Sequence, residues 1–332
     1  MHTPRSVVAA ANVRFTPRVG SLRCAPIWGR RIAPAGILLI LGGLLLLPVA
    51  RVTGGVIYET TSAYHRIQVV DQRGLRTLSF NGTEETRMSL ANPLQGHFQY
   101  IEYFFMPWCW NTNLTNVLMV GLGGGSVQRL YAAHCPNVSI DTAEIDPTVR
   151  EVAEKYFRYE PGPRQRVFVE DGRVFLRRST TRYGAIVMDA YRKGRYGSGI
   201  PAHLATQEFF KLAREHLTDD GVLAYNVIGS VGGYRAEIVG SIYRTMQTVF
   251  PHVYVFPAPD SINVVMVGTV AEYPVTMAWL LDRARAVSES GAVALPTLTQ
   301  RVRAFRALPP PNLPQCPVLT DDYAPVDGLL GE

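Results

Sequence analysis

The sequence predicts an α/β fold, in which a small N-terminal β unit and a transmembrane helix precede a Rossmann-like, doubly wound sheet. Three observations support this prediction. From residue 116 onwards, short apolar runs alternate with helical patterns, as in βαβ units. The first of these runs breaks into a glycine-rich turn, and an uncharged apolar segment stands well upstream of it. We therefore expect one sheet domain behind a membrane anchor.

The basic charge of the chain is concentrated at its N-terminus. The formal net charge is +6, no acid precedes Glu59, and seven arginines lie between Arg5 and Arg51. Without these seven charges the remainder would carry −1, so the basic pI does not indicate a nucleic-acid-binding protein. Residues 1–32 show no hydrophobic periodicity and are predicted to be a disordered basic tail.

Residues 33–50 read APAGILLILGGLLLLPVA and contain no charged residue. This length is at the lower limit for a membrane-spanning helix. A cleaved signal peptide is the competing interpretation, but Pro48 is a poor residue three positions before a cut after Ala50. We favour an uncleaved, single-pass anchor.

A small β domain is predicted over residues 60–105. Alternating apolar residues flank the segment from Asp71 to Gly74, which is typical of a β-hairpin, and Asn81-Gly82 indicates a second tight turn. An aromatic-rich link between Glu102 and Asn116 then leads into the sheet domain.

The Rossmann-like domain is predicted over residues 106–270, followed by C-terminal helices and a tail over 271–332. Its parallel strands alternate with helices, and its last two strands are expected to form an antiparallel hairpin. The C-terminal part is expected to hold two helices, MAWLLDRARAV and RVRAFRAL. The predicted strands are Val117–Val120, Val138–Ala143, 166–170, 185–188, 222–226, 253–256 and 263–267.

The turn after the first strand points to a nucleoside-binding site. Glycines there let the backbone turn tightly and approach a ligand. A second strand ends in Glu144, about 20 residues on, where Rossmann-like folds place an acid against ribose hydroxyls. Ser126 occupies the third glycine position of GxGxxG, which disfavours a dinucleotide. The GxGxG spacing of Gly121, Gly123 and Gly125 is more typical of enzymes that bind S-adenosylmethionine.

Acidic residues stand at the ends of the second, third and fourth strands of the predicted sheet. In an open α/β sheet the ligand lies outside the carboxyl ends of the strands, so Gly121, Glu144, Asp171 and Asp189 should face one crevice. Each acid alone is more often a helix cap or a loop residue. Together they indicate a site in which Glu144 holds the ribose, Asp171 an adenine amine, and Asp189 the reacting group.

The ordered series SAYHRIQVVD, LSFNG, VLMVGLGGGS, AEID, EDGRVFL, YGAIVMDAY, TQEFF and LTDDYAPVD resembles the spermidine synthase family of polyamine aminopropyltransferases. It covers about residues 60–327 and is most similar to the membrane-associated branch of that family. The resemblance implies a Rossmann-like fold of the S-adenosylmethionine-type methyltransferase class. It also implies decarboxylated S-adenosylmethionine as the donor of an aminopropyl group.

The resemblance also implies roles for individual residues. Glu144 matches the ribose-binding acid, Asp171 with Gly172 the adenine-contacting pair, and Asp189 the general base. The expected substrate-binding residues are Tyr64, His65, Tyr100 and Tyr191.

The sequence departs from the family at the amine end of the site. The aspartate that the family places in its glycine loop falls on Gly124, and the second acid of its DSSD motif falls on Arg192. His65 replaces a glutamine, and Gly96-His97 replaces an acidic pair. Because polyamine ammonium groups need nearby carboxylates in a partly desolvated pocket, a neutral or acidic acceptor also remains open.

We predict an enzyme that transfers an aminopropyl group from decarboxylated S-adenosylmethionine to an amine. The alternatives are an S-adenosylmethionine-dependent methyltransferase and a degenerate, non-catalytic nucleoside-binding domain. The histidine and cysteine spacings indicate no metal site, and Asp321 and Asp322 are interpreted as structural. The expected partners are a small-molecule amine, the membrane through residues 33–50 and a second copy in a homodimer, but no nucleic acid.

Two arguments conflict over the side of the membrane that holds the domain. Six arginines before Ala33, against Arg51 after it, favour a domain on the outer face. A domain that uses S-adenosylmethionine or its decarboxylated form should instead face the cytosol. We predict the outer face, because the charge rule acts on membrane insertion itself.

Overall fold

The computed structural model describes residues 54–194 and 197–330. It begins with a four-stranded antiparallel sheet in the order β1-β2-β3-β4. Both predicted turns are two-residue hairpin loops in which both residues have positive φ: 51° and 77° at Arg73-Gly74, and 53° and 90° at Asn81-Gly82. The strands are β1 (Gly55–Thr61), β2 (Arg66–Gln72), β3 (Leu75–Phe80) and β4 (Thr83–Ser89).

The larger sheet has seven strands in the order β12-β13-β11-β8-β5-β6-β7. The strands from β11 to β7 in this order pair in parallel, and β13 pairs antiparallel with both β11 and β12. The predicted Rossmann-like sheet and its closing hairpin are therefore confirmed. The strands are β5 (Asn116–Val120), β6 (Ser139–Glu144), β7 (Gln165–Val169), β8 (Tyr183–Met188), β11 (Leu217–Ile228), β12 (His252–Pro257) and β13 (Asn263–Thr269).

Helices cover both faces of this sheet because its central strands are apolar on both sides. In β5, Val117 and Met119 pack into one buried cluster, and Leu118 and Val120 pack into the other. Asp146 caps α2 as predicted, with its carboxylate accepting from the Thr148 N–H at 2.9 Å. The helices are α1 (Ser126–His134), α2 (Pro147–Tyr156), α3 (Gly172–Arg178), α4 (Gln207–Glu215), α5 (Ala236–Gln247), α6 (Met277–Glu289) and α7 (Leu298–Val302).

The small β sheet packs against the larger domain through α2. Ile67, Val69 and Leu78 lie in one buried cluster with Val149 and Val152. The contact matters for the site, since β4 and the glycine turn then lie side by side. Gly124 donates its backbone N–H to the Thr86 hydroxyl at 2.9 Å.

Several elements differ from the sequence prediction. The aromatic link contains a 3₁₀-helix, Gln99–Cys109, whose Phe104 and Phe105 are fully buried, so no amphipathic pattern indicated it. The prediction of a second C-terminal helix is wrong over most of RVRAFRAL, because α7 ends at Val302. Beyond it, Arg306 donates its backbone N–H to Val255 O, which extends the edge of β12. A short hairpin, β9 (Arg192–Gly194) and β10 (Gly197–Gly199), was not predicted.

The membrane localisation predicted from the sequence is corrected. Within residues 54–194 and 197–330, no helix is both long enough and apolar enough to cross a bilayer. The predicted single-pass membrane localisation is therefore wrong for the part of the chain that the structure describes. The predicted tail, 1–32, and the predicted anchor, 33–50, lie outside the described residues.

Candidate active site

A cavity of about 270 Å³ lies at the carboxyl ends of β5, β6 and β8. It has the position expected for a ligand site in an open α/β sheet. All but one of the predicted site residues line it, and Gly125 is the exception. The predicted residues in its wall are Tyr64, His65, Tyr100, Gly121, Gly123, Glu144, Asp171, Gly172, Asp189 and Tyr191.

The glycine turn brings the end of β5 against the end of β8. Gly121 has φ 98°, and a Cβ at this position would collide with the backbone carbonyl of Asp189. Only glycine therefore allows this approach. Gly125 also has a positive φ, but it lies against the ring of Tyr159 and initiates α1.

Glu144 is held by backbone N–H groups at the end of β6. Its two carboxylate oxygens accept from Leu122 N and Asp146 N, each at 2.9 Å. Burial raises the pKa of this carboxyl to about 7, against the opposing effect of the two N–H donors. The carboxylate is thereby fixed in the cavity wall, next to the glycine turn.

Asp171 initiates α3 and also reaches the cavity. One of its oxygens accepts from the N–H groups of Arg173 and Val174, and the other lies 2.8 Å from His203 Nε2. Burial alone would raise the pKa of Asp171, but the bonds from His203 and the helix N–H groups outweigh it and lower the pKa. The following Gly172 has no room for a Cβ because Val120 packs against it.

Asp189 follows β8 and is held by two neutral side chains from distant elements. Asn226 Nδ2 donates to one oxygen at 2.9 Å, and Tyr100 OH donates to the other at 3.1 Å. Burial raises the pKa of Asp189 to about 6. In the described part of the chain, no cation pairs with this carboxylate.

The sequence analysis missed Glu85, a further carboxylate in the cavity wall, whose pKa responds to the charge of Asp189. Burial raises its pKa to about 7, and the negative charge of Asp189 adds to this effect. Ser198 of β10 donates its hydroxyl to Glu85 at 2.6 Å. Glu85 lies in a strand of the small sheet, and nothing in the local sequence indicated that it reaches the site.

Asn226 was also missed, although a signal for it was available. It lies at the end of the predicted fifth strand, so the rule that picked out the other strand ends applied to it as well. His203 gave no such signal, because it belongs to a short 3₁₀-helix, Ala202–Leu204, after the unpredicted hairpin.

The aromatic residues predicted to contact the substrate lie in different environments. Tyr64 is exposed, whereas His65 is buried and stacks on Phe80 with ring centroids 4.3 Å apart. Tyr100 is buried, and burial raises its pKa well above the ordinary value. The hydroxyl of Tyr191 is buried and has no hydrogen-bond partner among the described residues.

The two departures noted in the sequence have structural explanations. A side chain at Gly124 would meet the Thr86 Cγ2 atom at 2.6 Å and the ring of Phe157 at 3.0 Å, so this loop has no space for an aspartate. Arg192 pairs with Asp327 of the C-terminal segment at 2.9 Å. Its charge is therefore offset by a neighbouring acid, although Arg192 lies in the cavity wall.

The cavity wall also contains Arg87 and Lys193. Arg87 donates to Gly96 O at 2.7 Å and lies over the ring of Phe98, whereas Lys193 is exposed. Within the residues that the structure describes, no group of three His, Cys, Asp or Glu side chains could hold a metal ion.

Comparisons with known proteins agree with this architecture. The family described as "Spermine/spermidine synthase domain" matches residues 98–277. The polyamine aminopropyltransferase of Vibrio vulnificus is 31% identical over 252 residues, which are 73% of this chain and 81% of that protein.

Two solved structures share the fold. The spermidine synthase of Thermotoga maritima has a TM-score of 0.58 at 22% identity, covering 74% of this chain and 87% of that one. Human methyltransferase-like protein 13 in complex with SAH has a TM-score of 0.50 at 25% identity, covering 57% and 89%. The family match and the bacterial relative decide between these two kinds of enzyme. The chain belongs to the spermine/spermidine synthase family of transferases.

Proposed function

We propose that this protein transfers an aminopropyl group from decarboxylated S-adenosylmethionine to an amine. The observation that carries the proposal is the Asp189 carboxylate, which lies at the end of β8 in the cavity, between Tyr100 and Asn226. Its hydrogen-bond partners within residues 54–194 and 197–330 are neutral, and the carboxylate is withdrawn from water. Such a carboxylate suits a cationic ligand and can accept a proton from it.

In this proposal Glu144 binds the ribose hydroxyls and Asp171 the adenine amine. Both carboxylates are fixed by backbone N–H groups, Glu144 by Leu122 and Asp146, and Asp171 by the first turn of α3. A rigid acceptor pair positions the nucleoside, and with it the sulfonium, at little entropic cost on binding. Gly121 and Gly123 let the backbone approach the same ligand.

The proposed reaction begins when Asp189 takes a proton from the acceptor ammonium. The freed nitrogen lone pair attacks the aminopropyl carbon next to the sulfonium, and a C–N bond forms as the C–S bond breaks. The bond electrons stay on sulfur, so neutral methylthioadenosine leaves. The hydrogen bonds from Tyr100 and Asn226 orient the carboxylate during this proton transfer.

The pKa of Asp189, raised to about 6, suits this role. At pH 7 most of the carboxylate is ionised, yet it is a stronger base than an ordinary aspartate. Below pH 6 the carboxyl becomes protonated and cannot act as the base. Activity limited by this step should therefore fall about tenfold per pH unit below 6.

A methyltransferase reaction is the second candidate, since the structure of human methyltransferase-like protein 13 with SAH shares the fold. S-adenosylmethionine carries a carboxylate that the decarboxylated donor lacks. It would add a negative charge to a cavity that already contains Glu85 and Asp189. This charge favours the decarboxylated donor.

The test is incubation of the purified protein with a diamine and either nucleoside. Methylthioadenosine formed from decarboxylated S-adenosylmethionine, with an aminopropylated amine detected by mass spectrometry, would support the proposal. S-adenosylhomocysteine formed from S-adenosylmethionine would replace it with a methyl transfer. Absence of both products, with the nucleosides still bound in calorimetry, would indicate a non-catalytic binding domain.

A further inference from the structure

Glu85 occupies a β-bulge in β4. The β3–β4 ladder pairs Leu78 with Thr86 and Ser79 with Glu84, so Glu85 has no partner across the ladder. A bulge bends the strand and redirects the extra side chain. Here the redirected side chain is a carboxylate, and it enters the wall of the cavity.

The neighbouring residue fastens this bulge to the nucleoside loop. Thr86 accepts the backbone N–H of Gly124 at 2.9 Å. On the other side, Ser198 of the β9–β10 hairpin donates to the Glu85 carboxylate at 2.6 Å. Glu85 is therefore held between the glycine turn and the hairpin that follows Asp189, and its position relative to a bound nucleoside is determined.

The charge around Glu85 is not balanced. In residues 54–194 and 197–330, its hydrogen-bond partner is the neutral Ser198 hydroxyl, and the negative charge of Asp189 raises its pKa further. Two like charges in a partly desolvated cavity are unfavourable unless a cation lies between them. An uncompensated acid on a bulge beside a cavity is thus the arrangement expected for a binding group.

We propose that Glu85 binds a primary alkyl ammonium group of the substrates and selects for ligands that carry this group without a carboxylate. The proposal deepens the aminopropyl transfer proposed above and rests on it. It also explains how the site can hold a cation although its glycine loop has no acid and its hairpin carries Arg192. The carboxylate comes from the small β sheet instead.

Two sources can supply this ammonium group. One is the aminopropyl chain of decarboxylated S-adenosylmethionine, and the other is the far end of a diamine acceptor. Both are primary alkyl ammonium ions that would donate to the Glu85 carboxylate. Methylthioadenosine contains the same nucleoside without any ammonium group and is therefore the natural reference ligand.

The test compares Glu85→Gln with Glu84→Gln by titration calorimetry. Glutamine keeps the shape of residue 85 and removes its charge. Glu84 lies next to it on the same strand and is exposed to solvent, so it controls for the loss of one negative charge. The ligands are decarboxylated S-adenosylmethionine, methylthioadenosine and 1,4-diaminobutane.

We expect Glu85→Gln to weaken one of the two ammonium ligands by about 10- to 100-fold, the effect of losing a charge-assisted hydrogen bond. Methylthioadenosine should bind within about twofold of wild type, as should all ligands to Glu84→Gln. If only decarboxylated S-adenosylmethionine binds more weakly, Glu85 contacts the ammonium group of the donor. If only 1,4-diaminobutane binds more weakly, Glu85 contacts the ammonium group of the acceptor. Equal affinities in Glu85→Gln and wild type for both ammonium ligands would overturn the inference.

This measurement does not require turnover. If the protein forms no product but Glu85→Gln still weakens an ammonium ligand, Glu85 binds the ammonium group and the proposed transfer reaction is wrong. If wild type binds neither ammonium ligand, the inference fails. Should Glu85→Gln not fold, Glu85→Asp replaces it: the shortened carboxylate should weaken the ammonium ligand and leave methylthioadenosine unaffected.

Discussion

The two ends of the cavity hold their carboxylates in different ways. At the end proposed to bind the nucleoside, Glu144 and Asp171 accept hydrogen bonds from backbone N–H groups, and Asp171 also contacts the His203 side chain. At the end proposed to bind the amine, the partners of Asp189 and Glu85 within the described residues are side chains of distant elements: Tyr100, Asn226 and Ser198.

This difference shows which end of the site can vary. Backbone donors are independent of the side-chain sequence, so the hydrogen bonds from Leu122 N, Asp146 N and the first turn of α3 form whenever the strand-turn-helix units fold. Side-chain donors can be replaced one at a time, and an acid lost from one element can be supplied by another. The sequence departs from the family it resembles at Gly124 and Arg192, and the cavity wall contains Glu85.

The largest effect is expected at the amine end, from Asp189→Asn. Asparagine keeps the shape of the side chain but cannot accept the proton, so kcat should fall at least about 100-fold. Methylthioadenosine affinity should change less than about threefold, since the nucleoside end is untouched. Asp282→Asn, an exposed substitution on α6, is the matched control for kcat. Turnover at the wild-type rate in Asp189→Asn would remove this residue from the mechanism.

At the nucleoside end, Glu144→Gln should weaken nucleoside binding by about 1–3 kcal/mol. The amide cannot accept from both Leu122 N and Asp146 N and also bind ribose hydroxyls as a charged acceptor. Calorimetry with methylthioadenosine measures this effect, and Glu154→Gln on the outer surface of α2 is its control. Unchanged affinity would place the nucleoside elsewhere.

At Glu85 we also expect an effect on stability in the absence of ligand. The pKa of Glu85 is raised from 4.5 to about 7 by burial. The protonated carboxyl therefore contributes its full stability to the fold below pH 4.5, and this stability is lost as the pH rises through 7 and the group ionises. Glu85→Gln does not titrate at this position and should be more stable than wild type at pH 8, by about 2 kcal/mol. At pH 4.5 the difference should nearly vanish.

Urea unfolding at both pH values, without nucleoside or amine, measures this difference. Glu84→Gln serves again as the control and should stay within about 0.5 kcal/mol of wild type. A Glu85→Gln protein that is less stable than wild type at pH 8 would show that the carboxylate is compensated in the free protein.

The smallest effect is expected outside the cavity, at Asp321. Its carboxylate accepts from Arg173 at 2.6 Å, and this bond lowers its pKa to about 2. The stabilisation is therefore present above pH 3.8, the ordinary value, and is lost as the pH falls through 2. Since the Asp321 side chain is 40% exposed, solvent screening reduces the cost of Asp321→Asn at pH 7 to about 1 kcal/mol or less.

Thermal unfolding measures the effect of Asp321→Asn, and calorimetry should show unchanged methylthioadenosine affinity. The structural interpretation of Asp321 from the sequence agrees with its pairing to Arg173 and Thr206. A large loss of ligand affinity in this variant would instead connect the C-terminal segment to the site.

The strands of the large sheet and the acids at their ends could be predicted from the sequence. Val117 to Val120 is a short apolar run that leads into glycines, and such a run has few alternatives to a buried strand. Glu144, Asp171 and Asp189 then meet because parallel strands end at the same edge of a sheet. The 3₁₀-helix from Gln99 could not be predicted, since a segment buried on all sides shows no periodicity.

The sequence by itself therefore determined the elements whose signals are local: the two hairpin turns, the glycine turn, the α2 cap at Asp146 and the positions of Glu144 and Asp171 at strand ends. The tertiary structure alone decided that Glu85 lies in the cavity wall. Glu85 enters the cavity because one extra residue in β4 redirects it, and it meets Ser198 across 113 positions of sequence. A contact of this kind depends on how two elements pack together, which the residues of neither element encode.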